Sequence, residues 1–208
     1  MGPVLTPEGR GLAFDANVSL LFTELPYLDR FAAARAAGFA AVESWWPDGE
    51  DPDRVAEALW ESDLRLVALN FDGGEMAQGD RGILSDPARE RRFRDNGPYL
   101  LDTTDVVAEF IAGFSAANVR LLFDCFHATR TGEDVAAALT RHFGLIGHVQ
   151  VADSPGRHEP GTGEIDYPGL FSLLESLGYQ GHVGLEYRPR TSTEESLAWL
   201  APNERGRL

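Results

Sequence analysis

The chain has 208 residues, 43% of them hydrophobic, which is enough for one well-packed core and shows no sign of a second domain. A formal net charge of −15 argues against a basic surface for nucleic acid or an anionic membrane, and no run approaches the roughly 20 apolar residues that span a bilayer. Cys125 is the single cysteine, so no internal disulfide forms, and without an apolar signal-peptide core near the start a cytoplasmic protein is expected.

A first strand begins near residue 12. Tyr27, Leu28, Phe31 and Ala34 then share one helical face that Gly38 ends, and residues 40–46 read as a strand. Asp51 caps and Pro52 opens the next helix, with Val55 and Leu59 inward, before a strand over residues 65–71. Asp86-Pro87 opens a short charged helix ending near Asn96-Gly97-Pro98, and Thr103 or Thr104 caps a helix reaching about Phe114. Residues 119–126 form a strand. Val135, Leu139, His142 and Phe143 mark a helix, followed by a strand over 147–152. Leu170, Phe171, Leu174 and Leu177 mark another helix before Gly178, with a strand over 182–187. Thr191 and Glu194 form a capping-box pair for the last helix.

Short strands alternating with helices imply a parallel α/β sheet. No glycine fingerprint for a nucleotide follows the first strand, whereas polar residues end several different strands, which fits a TIM barrel better. The barrel has eight strands and ~250 residues, yet only about six strands are read here, so something is missing between residues 72 and 119.

The chemistry concentrates in three strands. In residues 148–168 an apolar strand delivers Gln150 and Asp153 into a polar, glycine-rich loop, as barrel strands present metal ligands. Residues 119–127 end on Asp124 and His127, and residues 182–189 carry Glu186, so three consecutive strands each bring an oxygen ligand. Arg157 and His158 are the clustered cationic donors of the loop and suit a substrate carboxylate. His127, one turn beyond Asp124, suits substrate, a carboxylate that supports the ligands, or a structural role, while Asp153, Glu159 and Glu43 read as orienting partners. His142, His148 and His182 read as structural, and Trp45-Trp46 as pocket wall or core filler.

Residues 16–39, 79–84, 123–127, 148–168 and 184–189 together resemble the hydroxypyruvate isomerase family of xylose isomerase-like TIM barrels, which includes 2-oxo-tetronate isomerases. The resemblance covers nearly the whole chain. It implies interconversion of hydroxypyruvate and tartronate semialdehyde through an enediolate, with a divalent metal (Mg2+ or Mn2+) as cofactor and a small hydroxy-carbonyl acid as substrate. Asp124, Gln150 and Glu186 correspond to metal ligands, and Glu186 also to one of two proton-transferring glutamates. Asn17, Asn70 and Arg81 correspond to positions around the mouth.

The chain departs from that family in one place. Two further strands are expected before the one ending at Asp124, the second carrying the fourth ligand and other catalytic glutamate. Here Phe93-Arg94-Asp95-Asn96 runs directly into Gly97-Pro98-Tyr99, as though about two βα units were deleted between about residues 95 and 100 of a single 1–208 domain. Glu75, Asp95 and Asp102 lie near the gap and read as solvated loop or cap residues rather than replacements. The expected fold is a truncated, TIM-barrel-like domain of about six parallel strands. Those strands close tightly, stay open, or pair edge to edge in a homo-oligomer. The expected function is a metal-dependent isomerase. The alternatives are a catalytically impaired remnant that binds a metal or small acid, and a changed activity such as a sugar-acid epimerase, a dehydratase or a 2-oxo-tetronate isomerase.

Overall fold

Alternating side chains divide each strand between two environments. In β1 (Ala13–Asn17) Phe14 meets the rings of Phe171 and Trp199 edge-on at 5.6 and 5.9 Å, while Asn17, on the opposite face with Asp15, bonds to Glu43. One face therefore packs under helices and the other lines an interior. The computed structural model describes residues 11–47, 49–70, 103–113 and 118–207.

Among these residues the other strands are β2 (Ala41–Ser44), β3 (Arg65–Leu69), β4 (Leu121–Asp124), β5 (Ile146–Val151) and β6 (His182–Leu185). They form one parallel sheet in the order β3-β2-β1-β6-β5-β4. The first and last strands pair, Ala13 with His182 through Ala16 with Leu185, as at the seam of a barrel. Among the described residues β3 and β4 form the two edges, and the sheet is a curled half-barrel of six strands. The six strands, among the described residues, do not close on themselves, so the tight barrel is not the arrangement they form. Leu66 and Leu69 of β3 and Leu122 of β4 are exposed at these edges.

The helices are α1 (Asp29–Ala36), α2 (Pro52–Glu61), α3 (Thr104–Ala112), α4 (Cys125–Arg130), α5 (Val135–His142), α6 (Tyr167–Ser176), α7 (Thr193–Ser196) and α8 (Pro202–Arg205). Their starts follow side-chain chemistry. Asp51 accepts from the Asp53 N–H with Pro52 at the first position, and Thr103 accepts from Val106, as expected. Phe31 and Ala34 are buried, but Val55 and Leu59 of α2 pack only partly against the core.

Three details depart from the expected elements. The strand taken to residue 126 stops at Asp124, whose carboxylate accepts the N–H groups of Phe126 and His127 and so caps α4, a helix the sequence did not suggest. The cap of the last expected helix is Ser192, not Thr191: it accepts from Glu195, while Thr193 is tied to Phe22 and Glu24. α8 was not anticipated. The expected helix at residues 86–96, the end of the strand at Phe71 and the proposed join near residues 95–100 lie outside the described residues.

Candidate functional site

Asp124, Gln150 and Glu186 lie at the same end of three adjacent strands, because β4 pairs with β5 and β5 with β6. Asp124 pairs with Gln150, and Gln150 pairs with Gly184, two residues before Glu186. Gln150 and Glu186 are buried, and the Asp124 side chain is 11% exposed.

Each donor is held by a different device. Asp124 Oδ1 receives the α4 N-terminal amides at 2.8 and 3.1 Å, and Oδ2 lies 3.6 Å from His127 Nε2. Gln150 Nε2 donates to Glu43 Oε1 at 2.9 Å, which turns the amide oxygen away from Glu43. Glu186 Oε1 accepts from the Trp45 indole N–H at 2.8 Å, and Oε2 is ion-paired with the Arg157 guanidinium. Arg157 lies over the Phe126 ring and has a left-handed backbone, φ 56°.

Electrostatics set these carboxylates apart from surface acids. Burial, with the negative charges of Asp124 and Glu43, pushes the Glu186 carboxyl up to about 7, against weaker opposition from Trp45 and Arg157. Burial also raises Asp124, partly offset by His127. Two desolvated carboxylates and an amide oxygen are hard oxygen donors of the kind that could hold a divalent cation. Cys125, next to Asp124, is fully buried, and burial pushes its thiol well above the ordinary range, so it is no nucleophile.

The loop after β5 is built around Asp153, 1% exposed. Its Oδ1 accepts from Ser154 and Ile165, and its Oδ2 from Gly161 and Gly163. A Cβ on Gly163 would sit 2.0 Å from the Ser154 carbonyl oxygen, so only glycine fits there. This frame aims Arg157 at Glu186. His158 is directed elsewhere, its Nδ1 2.7 Å from the Arg188 carbonyl, and Glu159 accepts from Arg190 N–H. Both therefore clamp the loop onto the segment after β6.

Glu43 is central to the interior. Oε1 accepts from Asn17 and Gln150, each at 2.9 Å, and Oε2 lies 2.8 Å from His148 Nε2. Such saturation suits a positioning group rather than a proton shuttle. Sequence reasoning had Glu43 as an orienting partner but missed its link to His148, the grip of Trp45 on Glu186, and Asp15. The last is fully buried with neither carboxylate oxygen hydrogen-bonded, and burial followed by Glu43 raises its carboxyl well above the ordinary range. His142, whose Nε2 lies 2.6 Å from Asp105 Oδ1, and His182, with Nε2 buried and unbonded, lie outside the oxygen cluster. Glu75, Arg81, Asp95 and Asp102 lie outside the described residues.

Comparison with known proteins gives a consistent picture. Residues 95–203 match the xylose isomerase-like TIM barrel family. The chain is 31% identical to a 2-oxo-tetronate isomerase of Cupriavidus necator, covering 91% of this chain and 97% of that protein. It is 29% identical to the hydroxypyruvate isomerase of Escherichia coli K12, covering 92% and 99%. The crystal structure of an AP endonuclease, family 2, from Brucella melitensis superposes with a TM-score of 0.85 at 31% identity, covering 92% of this chain and 98% of that one. An L-ribulose 3-epimerase at 19% identity and a TM-score of 0.63 shares the fold. The first alignment runs over 253 positions, whereas 91% of 208 residues is about 189, so roughly 60 positions of a ~250-residue barrel have no counterpart here.

Proposed function

Because the chain belongs to the hydroxypyruvate isomerase family of xylose isomerase-like TIM barrels, we propose that it is a metal-dependent isomerase acting on a small hydroxy-carbonyl acid of the hydroxypyruvate type. The observation carrying this reading is the convergence of Asp124, Gln150 and Glu186 from three adjacent strands, with Arg157 against Glu186. Asp124, Gln150 and Glu186 would hold a divalent cation, which would supply positive charge against the negative charge that develops on the substrate.

The protein groups divide the remaining work. The substrate carboxylate takes the Arg157 guanidinium and releases Glu186 Oε2. Glu186, held by Trp45 at its other oxygen, removes a proton from the hydroxyl-bearing carbon, giving the enediolate, and returns it to the neighbouring carbon, while the hydroxyl proton passes to the former carbonyl oxygen, which completes the aldose-ketose type exchange. In the metal-free protein its carboxyl is raised to about 7, chiefly by burial. Glu43 keeps the Gln150 amide oriented, and His127 supports Asp124.

A second reading, a remnant that binds the metal and acid without turnover, draws on the gap in the sheet between β3 and β4. The second proton-transfer glutamate expected from the resemblance has no counterpart among the described residues, because Glu43 is saturated. Losing one acid-base group costs typically 10^2 to 10^4-fold in rate. Loss of hydroxypyruvate with Mg2+ or Mn2+, measured for wild type and Glu186→Gln, separates the two. Metal-dependent turnover abolished by the substitution supports the isomerase. Metal binding without turnover supports the remnant.

A further inference from the structure

We propose that Asp15, Glu43 and His148 form a second cation site in the interior of the half-barrel, beneath Gln150 and separate from the proposed isomerase centre. The site suits a divalent ion that accepts mixed carboxylate and imidazole donors, with Zn2+ as the best match. The ligand atoms all lie within 4.8 Å of one another. His148 Nε2 is 2.8 Å from Glu43 Oε2 and 4.0 Å from Asp15 Oδ2. Tetrahedral donors at about 2.0–2.1 Å from Zn2+ stand roughly 3.3 Å apart, so these two distances bracket the required spacing.

An acidic pair beside a histidine is common; the independent observation is Asp15 itself. It is 0% exposed, and neither oxygen has a hydrogen-bond partner, a costly state for a carboxylate unless a cation or a proton neutralises it. The Glu43–His148 contact explains those two groups and leaves Asp15 unexplained. Space and support are also built in. A Cβ on Gly184 would lie 2.5 Å from Glu43 Oε2 and 2.9 Å from His148 Nε2, so a glycine there keeps room for both side chains. Asn17 and Gln150 donate to Glu43 Oε1 and orient the carboxylate so that Oε2 faces His148 Nε2, and a cation would replace that hydrogen bond with ligation by both groups. Two carboxylates and a neutral imidazole around a divalent ion sum to zero, the balance a buried site requires.

The test is Zn2+ stoichiometry by equilibrium dialysis of the full chain, with Co2+ absorption as the probe of a tetrahedral site. Wild type, Asp15→Ala, the isosteric Asp15→Asn and the double variant Asp124→Asn/Glu186→Gln are compared. The site predicts that either Asp15 variant loses one Zn2+ equivalent, or binds it at least about tenfold more weakly, together with the Co2+ signal. It also predicts that the double variant keeps that equivalent. In chelated protein the Asp15 variants should melt higher than wild type, because a buried unpaired carboxyl is gone. Unchanged Zn2+ number and affinity in both Asp15 variants, or no Zn2+ in the double variant, overturns the proposal. Absence of hydroxypyruvate turnover would sink the isomerase reading and leave this comparison intact.

Discussion

Replacing Asp153 by Asn changes one oxygen into an NH2 group with almost no change in shape, yet it should undo the loop that carries Arg157. Each Asp153 oxygen accepts two backbone N–H groups: Ser154 and Ile165 at 2.9 and 3.2 Å, Gly161 and Gly163 at 2.9 and 2.8 Å. Whichever way the amide turns, its NH2 faces two donors. Two hydrogen bonds to a charged acceptor are lost, at about 1.5–3 kcal/mol each, for a total of roughly 3–6 kcal/mol in a residue that is 1% exposed. If the loop opens locally, amide exchange at Gly161 and Gly163 should quicken by about 100-fold or more, 1.4 kcal/mol being a factor of ten. If the whole domain feels the loss, Tm should fall by several degrees. Hydrogen exchange and a thermal melt on the same sample read both. Unchanged exchange at the two glycines with an unchanged Tm would refute the assignment of Asp153 as the organiser of the loop.

Other consequences follow from the same network. Glu186 is raised from an ordinary 4.5 to about 7, so the folded state binds its proton more tightly than the unfolded chain does. With respect to this group, metal-free protein should therefore hold its full stability below about pH 4.5, lose about 3 kcal/mol between pH 4.5 and 7, and level off above that. Asp15 and Asp124 act in the same direction, and denaturant melts of Glu186→Gln should show a flatter profile. Glu43→Ala strips acceptors from Asn17, Gln150 and His148 and should weaken Mn2+ binding at the three-strand site by about 10 to 100-fold, whereas Glu43→Gln, which can keep an acceptor for Gln150, should cost less; calorimetric titration distinguishes them. Arg157→Gln should raise KM for hydroxypyruvate by at least about tenfold while leaving Mn2+ affinity equal or higher, because Glu186 loses its competing partner.

The strands and most helix starts were legible because period-2 runs, Asp51-Pro52 and Thr103 are local signals. The half-barrel was legible in kind, since six strands cannot follow an eight-strand plan, but which edges stay open depends on pairing between β1 and β6 across most of the chain. Asp124 misled on one point: the same carboxylate that ends β4 also caps α4, and a polar strand end hides a helix start when the following residues, Cys125 and Phe126, are apolar. That the strands carrying Asp124, Gln150 and Glu186 are neighbours could be read from three consecutive strand ends. The network around Glu43 could not, because His148 is 105 residues away and meets it only across the curled interior. Asp15 left a detectable trace, an acid alternating with Phe14 and Ala16 in a buried strand, and its isolation from any donor is a fact of three dimensions.

Proton removal by Glu186 is the central chemical claim, and solvent exchange tests it without requiring a complete turnover. Hydroxypyruvate would be followed by NMR in D2O with Mg2+, comparing wild type, Glu186→Gln and metal alone. The account predicts enzyme-dependent entry of deuterium at the hydroxyl-bearing carbon, reduced to the metal-only rate by Glu186→Gln. Exchange no faster than with metal alone in the wild type, or equally fast in Glu186→Gln, would contradict it.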